Sequence, residues 1–415
     1  VEFLMKNRSD SKRINSNSLN ANYFRLNPIR SGCLVSKTRS LLVIALLAAV
    51  NSLFPATGLY ADSSKSKNGK NAEKEIDPQY LSDPRGPVEV IICSQNLHNY
   101  GQIESVKKRE PRVTKESLAE QESALIKRFV DASCDLIAVQ EVLGKSESDA
   151  NAALERLAVL LRGKTGRIFR PIVGTSGDPL SRVGFLVAMD RGELVNSLSY
   201  SRVELPKFAD KDRPRFFGRG PLEIQVVVKG RGESAPKTVT LVNMHFKSKG
   251  GKDRDPAELD WETYRIQMAE ALRRILEQRH SNAFAQRDNI LVVLGDRNSH
   301  WDAASAKVLE GTLTLDMFRD TTCRLSKRGV ALCKDSESRP QRLFSVLTSD
   351  PQTKVRQGSY HYKSEFSWLD DILLPAESLS YGWDTFDSEG DYASGVIYEP
   401  KAASDHALVY LKLNW

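Results

Sequence analysis

Apolar and polar positions divide this chain into short blocks. Five consecutive apolar residues, Ile290 to Leu294, lie between a polar Arg-Asp-Asn and Gly295, the pattern of a strand buried on both faces. Comparable runs predict strands at Val88–Cys93, Cys134–Val139, Val183–Met189, Leu222–Val228, Val239–Met244, Phe366–Leu374 and Ala407–Leu413. Helical spacing governs residues 115–133, through Leu118, Leu125, Ile126, Phe129 and Val130. It returns at Asn151–Arg162, through Leu154, Leu157, Leu160 and Leu161, and a third helix is expected from Pro256 to about Arg279. Strands interleaved with helices at both ends, and crowded together in the middle, predict an α+β domain. Two packed sheets with helices outside would bury the doubly apolar strands.

That domain is expected over residues 86–415. Residues 62–85, rich in Ser, Lys, Asn, Asp and Pro, read as a flexible linker. Residues 1–61 read as a leader, in which a basic segment precedes the apolar stretch Leu41–Val50, continuing to about Phe54. The stretch is shorter than the roughly 20 residues of a membrane span. Small residues follow, and Ala61 is the expected last residue before cleavage. The expectation is export to the periplasm or outside, with an uncleaved membrane anchor as the alternative.

Charge changes the picture little. The chain carries a net +7, but residues 1–61 hold eight Lys and Arg against two acids, so the remainder is almost neutral. A basic sequence pI is therefore no argument for nucleic-acid binding. Five cysteines are too few for a disulfide-built scaffold. Cys323 and Cys333 are expected to close a short ring in an exported protein, whereas Cys93 and Cys134, beside apolar runs, are expected to be buried free thiols.

Candidate chemistry collects at the ends of the apolar runs: Asn96, Glu141, Asn243 with His245, Asp296 with Asn298, Asp370, and Asp405 with His406. Each alone reads as a turn former, a surface acid, a satisfied core histidine or a helix cap. Six together read as one rim, because the ends of parallel-running strands converge. Glu141 and Asn96 offer oxygen ligands suited to Mg²⁺. His245 and His406 exchange protons near neutral pH, and Asp370 is placed to orient one of them. The reaction consistent with this set is metal-assisted hydrolysis of a phosphoester by an activated water. There is no HExxH, no pair of Cys-x-x-Cys, no Gly-rich phosphate loop and no Gly-x-Ser-x-Gly elbow, which disfavours zincins, structural zinc, P-loop enzymes and serine hydrolases.

The order Asn96, Gln140-Glu141, Asn243-x-His245, Gly295-Asp296-x-Asn298, Asp370-x-Ile372, Ser404-Asp405-His406 resembles the endonuclease/exonuclease/phosphatase superfamily over roughly residues 88–413. Asn96–Gly101, Leu136–Glu141 and Phe217–Pro221 look like its deoxyribonuclease I branch, and His245–Gly250 is similar to its secreted bacterial nucleases. The resemblance implies a four-layer α/β/β/α sandwich and an exported, Mg²⁺-dependent nuclease, with Ca²⁺ or Mn²⁺ as alternative ions and DNA expected before RNA. It implies Glu141 as principal metal ligand, helped by Asn96 and Asp405. His406, oriented by Asp370, would be the general base, and His245 would protonate or stabilise the leaving oxygen. Asp296 and Asn298 would hold phosphate or water in line, with Arg219 on a non-bridging oxygen and Asn243 and Lys247 beside the substrate.

Two positions depart from the pattern. Relatives place a glutamate partner for the first histidine before the strand matching Val183–Met189, where this chain has Ser181-Arg182. The arginine that relatives send into the DNA minor groove is Leu143 here. Basic residues near the expected rim (Lys247, Lys249, Lys252, Arg213, Arg215, Arg219) suit a polyanion. Alternatives are a sphingomyelinase-like enzyme acting on a phospholipid headgroup, with Trp301 and Tyr360-His361-Tyr362 meeting the bilayer, or a phosphomonoesterase. A catalytically silent binding module would need neither Glu141 nor both histidines. No protein partner is implied.

Overall fold

The computed structural model describes residues 89–250, 261–286, 289–319, 321–326, 329–333, 341–349, 358–362, 365–382 and 393–415. The expected leader and linker, Lys252 and the expected helix start at Pro256 lie outside the described residues.

In chain order the strands are β1 (Val90–Gly101), β2 (Leu136–Leu143), β3 (Phe169–Val173), β4 (Ser181–Ala188), β5 (Gly192–Ser199), β6 (Leu222–Val228), β7 (Lys237–His245) and β8 (Asn289–Asp296). They continue with β9 (Arg324–Leu325), β10 (Ala331–Leu332), β11 (Leu343–Ser345), β12 (Tyr360–Tyr362), β13 (Glu365–Ser367), β14 (Asp370–Pro375), β15 (Ser394–Ile397) and β16 (Leu408–Leu413). One sheet runs β15-β16-β1-β2-β4-β3 and a second runs β11-β14-β8-β7-β6-β5. Both are mixed: β1 is parallel to β2 and β7 to β8, while their other pairings are antiparallel. The expected four-layer α/β/β/α sandwich is what the chain forms.

The continuous apolar runs follow from this layering. In β8, Ile290, Val292 and Leu294 join Ile92, Phe185, Leu241 and Leu411 between the sheets. The alternate residues Leu291 and Val293 pack outward beneath Ile266, Leu272 and Leu276. Those three come from the helix Glu262–Arg279. The first sheet is covered in the same way by the helices Lys115–Asp131 and Glu147–Thr165, through Leu125, Phe129, Leu154 and Leu157. Thr114 and Ser146 cap their N-termini by accepting from backbone N–H groups.

Several elements differ from the sequence expectation. β1 runs eight residues past Cys93, so the polar segment Ser94–Gly101 is itself strand. β3, β5 and β15 had no apolar run to announce them, and β5 is an edge strand with mostly exposed side chains. Cys323 and Cys333 are bonded, as expected, around the β9–β10 hairpin. Cys93 and Cys134 are not free thiols: they form a second disulfide, with Cα atoms 5.9 Å apart. Cys134 precedes β2, which lies parallel beside β1, and this pairing brings together two positions that are 41 residues apart. No described helix is long and apolar enough to cross a membrane.

Candidate active site

The rim is built from strands that arrive and strands that leave. Asn96 stands at the register shift in the C-terminal half of β1, Glu141 lies two residues before the end of β2, and His245 and Asp296 end β7 and β8. β14, antiparallel to β8, begins at Asp370, with Asp370 paired to Asp296. β16, antiparallel to β1, begins two residues after His406. Convergence therefore comes from C-terminal ends of four strands and N-terminal ends of two. Gly295 makes the closest approach possible: at φ 126° its added Cβ would lie 2.1 Å from the Met244 carbonyl oxygen.

Asp296 is the hub. Its carboxylate accepts from the backbone N–H of Asn298 at 2.7 Å, from Asn298 Nδ2 at 2.9 Å and, across the two sheets, from Asn96 Nδ2 at 3.0 Å. His245 Nε2 lies 3.5 Å from Asp296 Oδ2, and His406 Nε2 lies 4.0 Å from the same oxygen. Burial pushes the Asp296 carboxyl up to about 7, against the pull of His406.

His406 and Asp370 form a dyad, with Nδ1 to Oδ2 at 2.7 Å and both side chains buried. Burial pulls the imidazole pKa down, but the Asp370, Asp296 and Asp405 carboxylates outweigh it and raise it to about 10. The Nε2 atom, free of Asp370, turns toward Asp296. His245 is the opposite case. Its Nε2 receives the Arg219 guanidinium at 2.8 Å, while its buried Nδ1 has no hydrogen-bond partner. Burial, then Arg219, His406 and Lys247, hold its pKa well below the ordinary value. A guanidinium only donates, so His245 is the neutral Nδ1–H tautomer. The chain has Ser181-Arg182 where relatives carry the expected glutamate partner, and Nδ1 is left without one.

Glu141 occupies a left-handed backbone conformation, φ 59°, uncommon for a residue with a Cβ. One oxygen accepts from the Asn99 N–H at 3.0 Å, and the other lies 3.8 Å from His245 Nε2. His98, Asn99 and Asn298 share this backbone region, at φ 49°, 59° and 52°. Strained residues thus gather on the rim. Asp405 accepts from His98 Nδ1 at 2.7 Å, and this bond raises the His98 pKa to about 9.

The metal set expected from the sequence fits a hard cation. Asn96, Glu141 and Asp405 are oxygen donors, and Glu141 keeps one oxygen without a short hydrogen bond. Asp296, Asp370 and His406 also bring ligand atoms within 4.8 Å of one another. Glu141, the ligand expected from the sequence, lies outside that buried group.

Two expected substrate residues behave differently. Asn243 faces the interior: its Nδ2 donates to the Val139 and Gly184 carbonyls at 3.0 and 2.9 Å, and its Oδ1 accepts from Gln140 at 2.8 Å. It fastens one sheet to the other instead of facing the rim. Lys247 is half-buried, with Nζ 5.0 Å from the Trp261 ring centroid. Sequence patterning overlooked His98, whose only signal was its place in the Asn96–Gly101 segment, and Arg297. Arg297 Nη1 is 2.5 Å from Asp371 and 3.3 Å from Glu310. Trp301 is exposed and stacks near His300 at 5.4 Å.

No family model matches the sequence, and no curated protein matches it. Solved structures do. The D. rerio TDP2 complexed with a single-strand DNA product is 15% identical, covering 79% of this chain and 99% of that one, with a TM-score of 0.44. An endonuclease/exonuclease/phosphatase family protein from Leptotrichia buccalis is 14% identical, covering 79% and 100%, with a TM-score of 0.46. A mannosyl-6-phosphatase from Bacteroides thetaiotaomicron is 11% identical, covering 79% and 100%, with a TM-score of 0.43. These are likenesses of fold, and the chemistry is decided by this chain's own side chains.

Proposed function

We propose that this chain is a metal-dependent phosphoester hydrolase of the endonuclease/exonuclease/phosphatase superfamily, and specifically an exported nuclease. The observation that carries the reading is the His406–Asp370 dyad facing Asp296, Asn96, Glu141 and Arg219 in one buried rim.

Asp370 orients His406 through Nδ1 and leaves Nε2 to take the proton of an attacking water. Asn298 and Asp296 fix the geometry beside that nitrogen. Arg219 supplies positive charge where a phosphoryl oxygen gains negative charge, held there by its bonds to His245 and the Phe246 carbonyl at 2.8 Å each. Glu141, with Asn96 and Asp405, would hold Mg²⁺. When bound, the ion supplies Lewis-acid polarisation of the phosphate and neutralises its charge. Two disulfides within the domain favour an oxidising compartment and so support export.

The deciding experiment offers the purified protein labelled DNA, RNA and sphingomyelin vesicles, each with Mg²⁺ and with EDTA. Nucleic-acid cleavage that stops with EDTA is expected. His406→Ala should lower kcat by about 10²–10⁴ with the fold retained. Cleavage of the lipid alone would move the substrate to the membrane, and an unchanged His406→Ala rate would end the mechanism.

A further inference from the structure

Two unlike surface features adjoin the rim. One is the turn after β1, which carries Lys107, Lys108, Arg109 and Arg112, all exposed. Glu110, in the middle of this turn, ties it to the site: its Oε1 accepts from Asn99 Nδ2 at 2.9 Å and lies 3.4 Å from His98 Nε2. Asn99 in turn donates its backbone N–H to Glu141. The basic turn is therefore one residue removed from the carboxylate assigned to the metal. Arg109 reaches Asp178 at 3.6 Å, and the Asp178 N–H bonds to the Gly218 carbonyl beside Arg219. Lys107, Lys108 and Arg112 have no ion-pair partner among the described residues.

The second feature is aromatic, and it meets the first at the His98–Asp405 bond. The β12–β13 hairpin lies directly on the His406 segment: the His361 N–H donates to the Asp405 carbonyl at 3.2 Å, and the Tyr360 ring lies 4.7 Å from the His406 ring. Phe366, paired with His361 across the hairpin, is 40% exposed, with ring centroids 4.4 Å apart. Tyr398 braces Phe366 edge-on at 5.7 Å. An exposed, braced ring and a row of cations, both joined to the His98–Asp405 pair, form a surface that stacks a base and holds phosphates. A duplex hides its base faces. Leu143, where a groove-reading side chain would stand, is fully buried.

We infer that the substrate is single-stranded nucleic acid, with flanking phosphates on Lys107, Lys108 and Arg112 and an unpaired base stacked on Phe366. This inference rests on the proposed phosphodiesterase reading and narrows it.

The test uses the full protein and four substrates: bis(p-nitrophenyl) phosphate, a labelled single strand, the same strand in a duplex, and an abasic strand of equal length. Wild-type turnover of the small diester with Mg²⁺ tests the underlying reading; its absence removes both. With that turnover present, the single strand should be cleaved in preference to the duplex. K107A/K108A/R112A should raise the single-strand KM about tenfold at little changed kcat. It should also flatten the slope of log affinity against log salt by about 2, as three lost phosphate contacts require. Phe366→Ala should raise KM about tenfold on the single strand and leave the abasic strand unaffected, and Phe366→Trp should restore binding. Duplex preference, an unchanged salt slope, or equal Phe366→Ala effects on normal and abasic strands would overturn the inference.

Discussion

Arg219 Nη1 stands 2.8 Å from His245 Nε2, and this one contact fixes what each residue is able to do. The guanidinium must donate, so the imidazole must accept and is neutral. His245 then has no Nε2 proton to give to a leaving oxygen; it serves to hold Arg219 against the site. His245→Gln, which retains an acceptor, should keep more activity than His245→Ala, whereas a proton donor would lose equally in both. Nitrogen NMR of labelled histidine should report the Nδ1–H tautomer through the neutral range. A protonated His245 at neutral pH would contradict the assignment.

The Asp370–His406 bond predicts a pH signature. In metal-free protein His406 has a folded pKa raised to about 10, against roughly 6.5 unfolded. A raised pKa stabilises the fold fully below the unfolded value and is lost as pH rises through the folded one. The stability contribution should therefore fade between about pH 6.5 and 10, seen as a falling Tm in EDTA that His406→Asn no longer shows. For turnover the sign is opposite, because the base must be deprotonated: kcat/KM should rise toward alkaline pH. Asp370→Asn should move that limb to lower pH while lowering its plateau. A limb that stays in place would remove Asp370 from the role.

Arg297 and Asp371 pair at 2.5 Å with both side chains buried. They neighbour Asp296 and Asp370 in the chain, so the pair locks the strand ends that carry the Asp296 carboxylate and the Asp370–His406 dyad. Arg297→Met should cost about 3–5 kcal/mol by stranding a buried carboxylate. Arg297→Met with Asp371→Leu should recover much of that in chemical denaturation. Failure to recover would mean that the pair serves more than charge balance.

The Cys93–Cys134 bond closes a loop with a sequence separation of 41. In the chain-entropy model its loss costs about 4 kcal/mol. C93A/C134A should lower the denaturation midpoint accordingly, and loss of the same stability on reduction of the wild type would confirm it. An unchanged midpoint in both would show that the bond adds nothing to stability.

The sequence by itself determined the layers. Doubly apolar runs such as Ile290–Leu294 have to be covered on both faces, which requires sheet against sheet with helices outside. The polar residues that end those runs were legible for the same reason: a strand buried to its last residue presents its end at a rim. Tertiary structure decided the rest. Asn243 turned inward because β2 and β4 present it with the Val139 and Gly184 carbonyls, a fact no local pattern contains. The Cys93 and Cys134 thiols met because β1 and β2 pair in parallel, while Arg297 and Asp371 met because β8 and β14 pair antiparallel. The silence at His245 Nδ1 was foreshadowed by Ser181-Arg182, but Arg219 as its partner was not. Local periodicity records what each segment buries; only register across strands decides which side chains face one another.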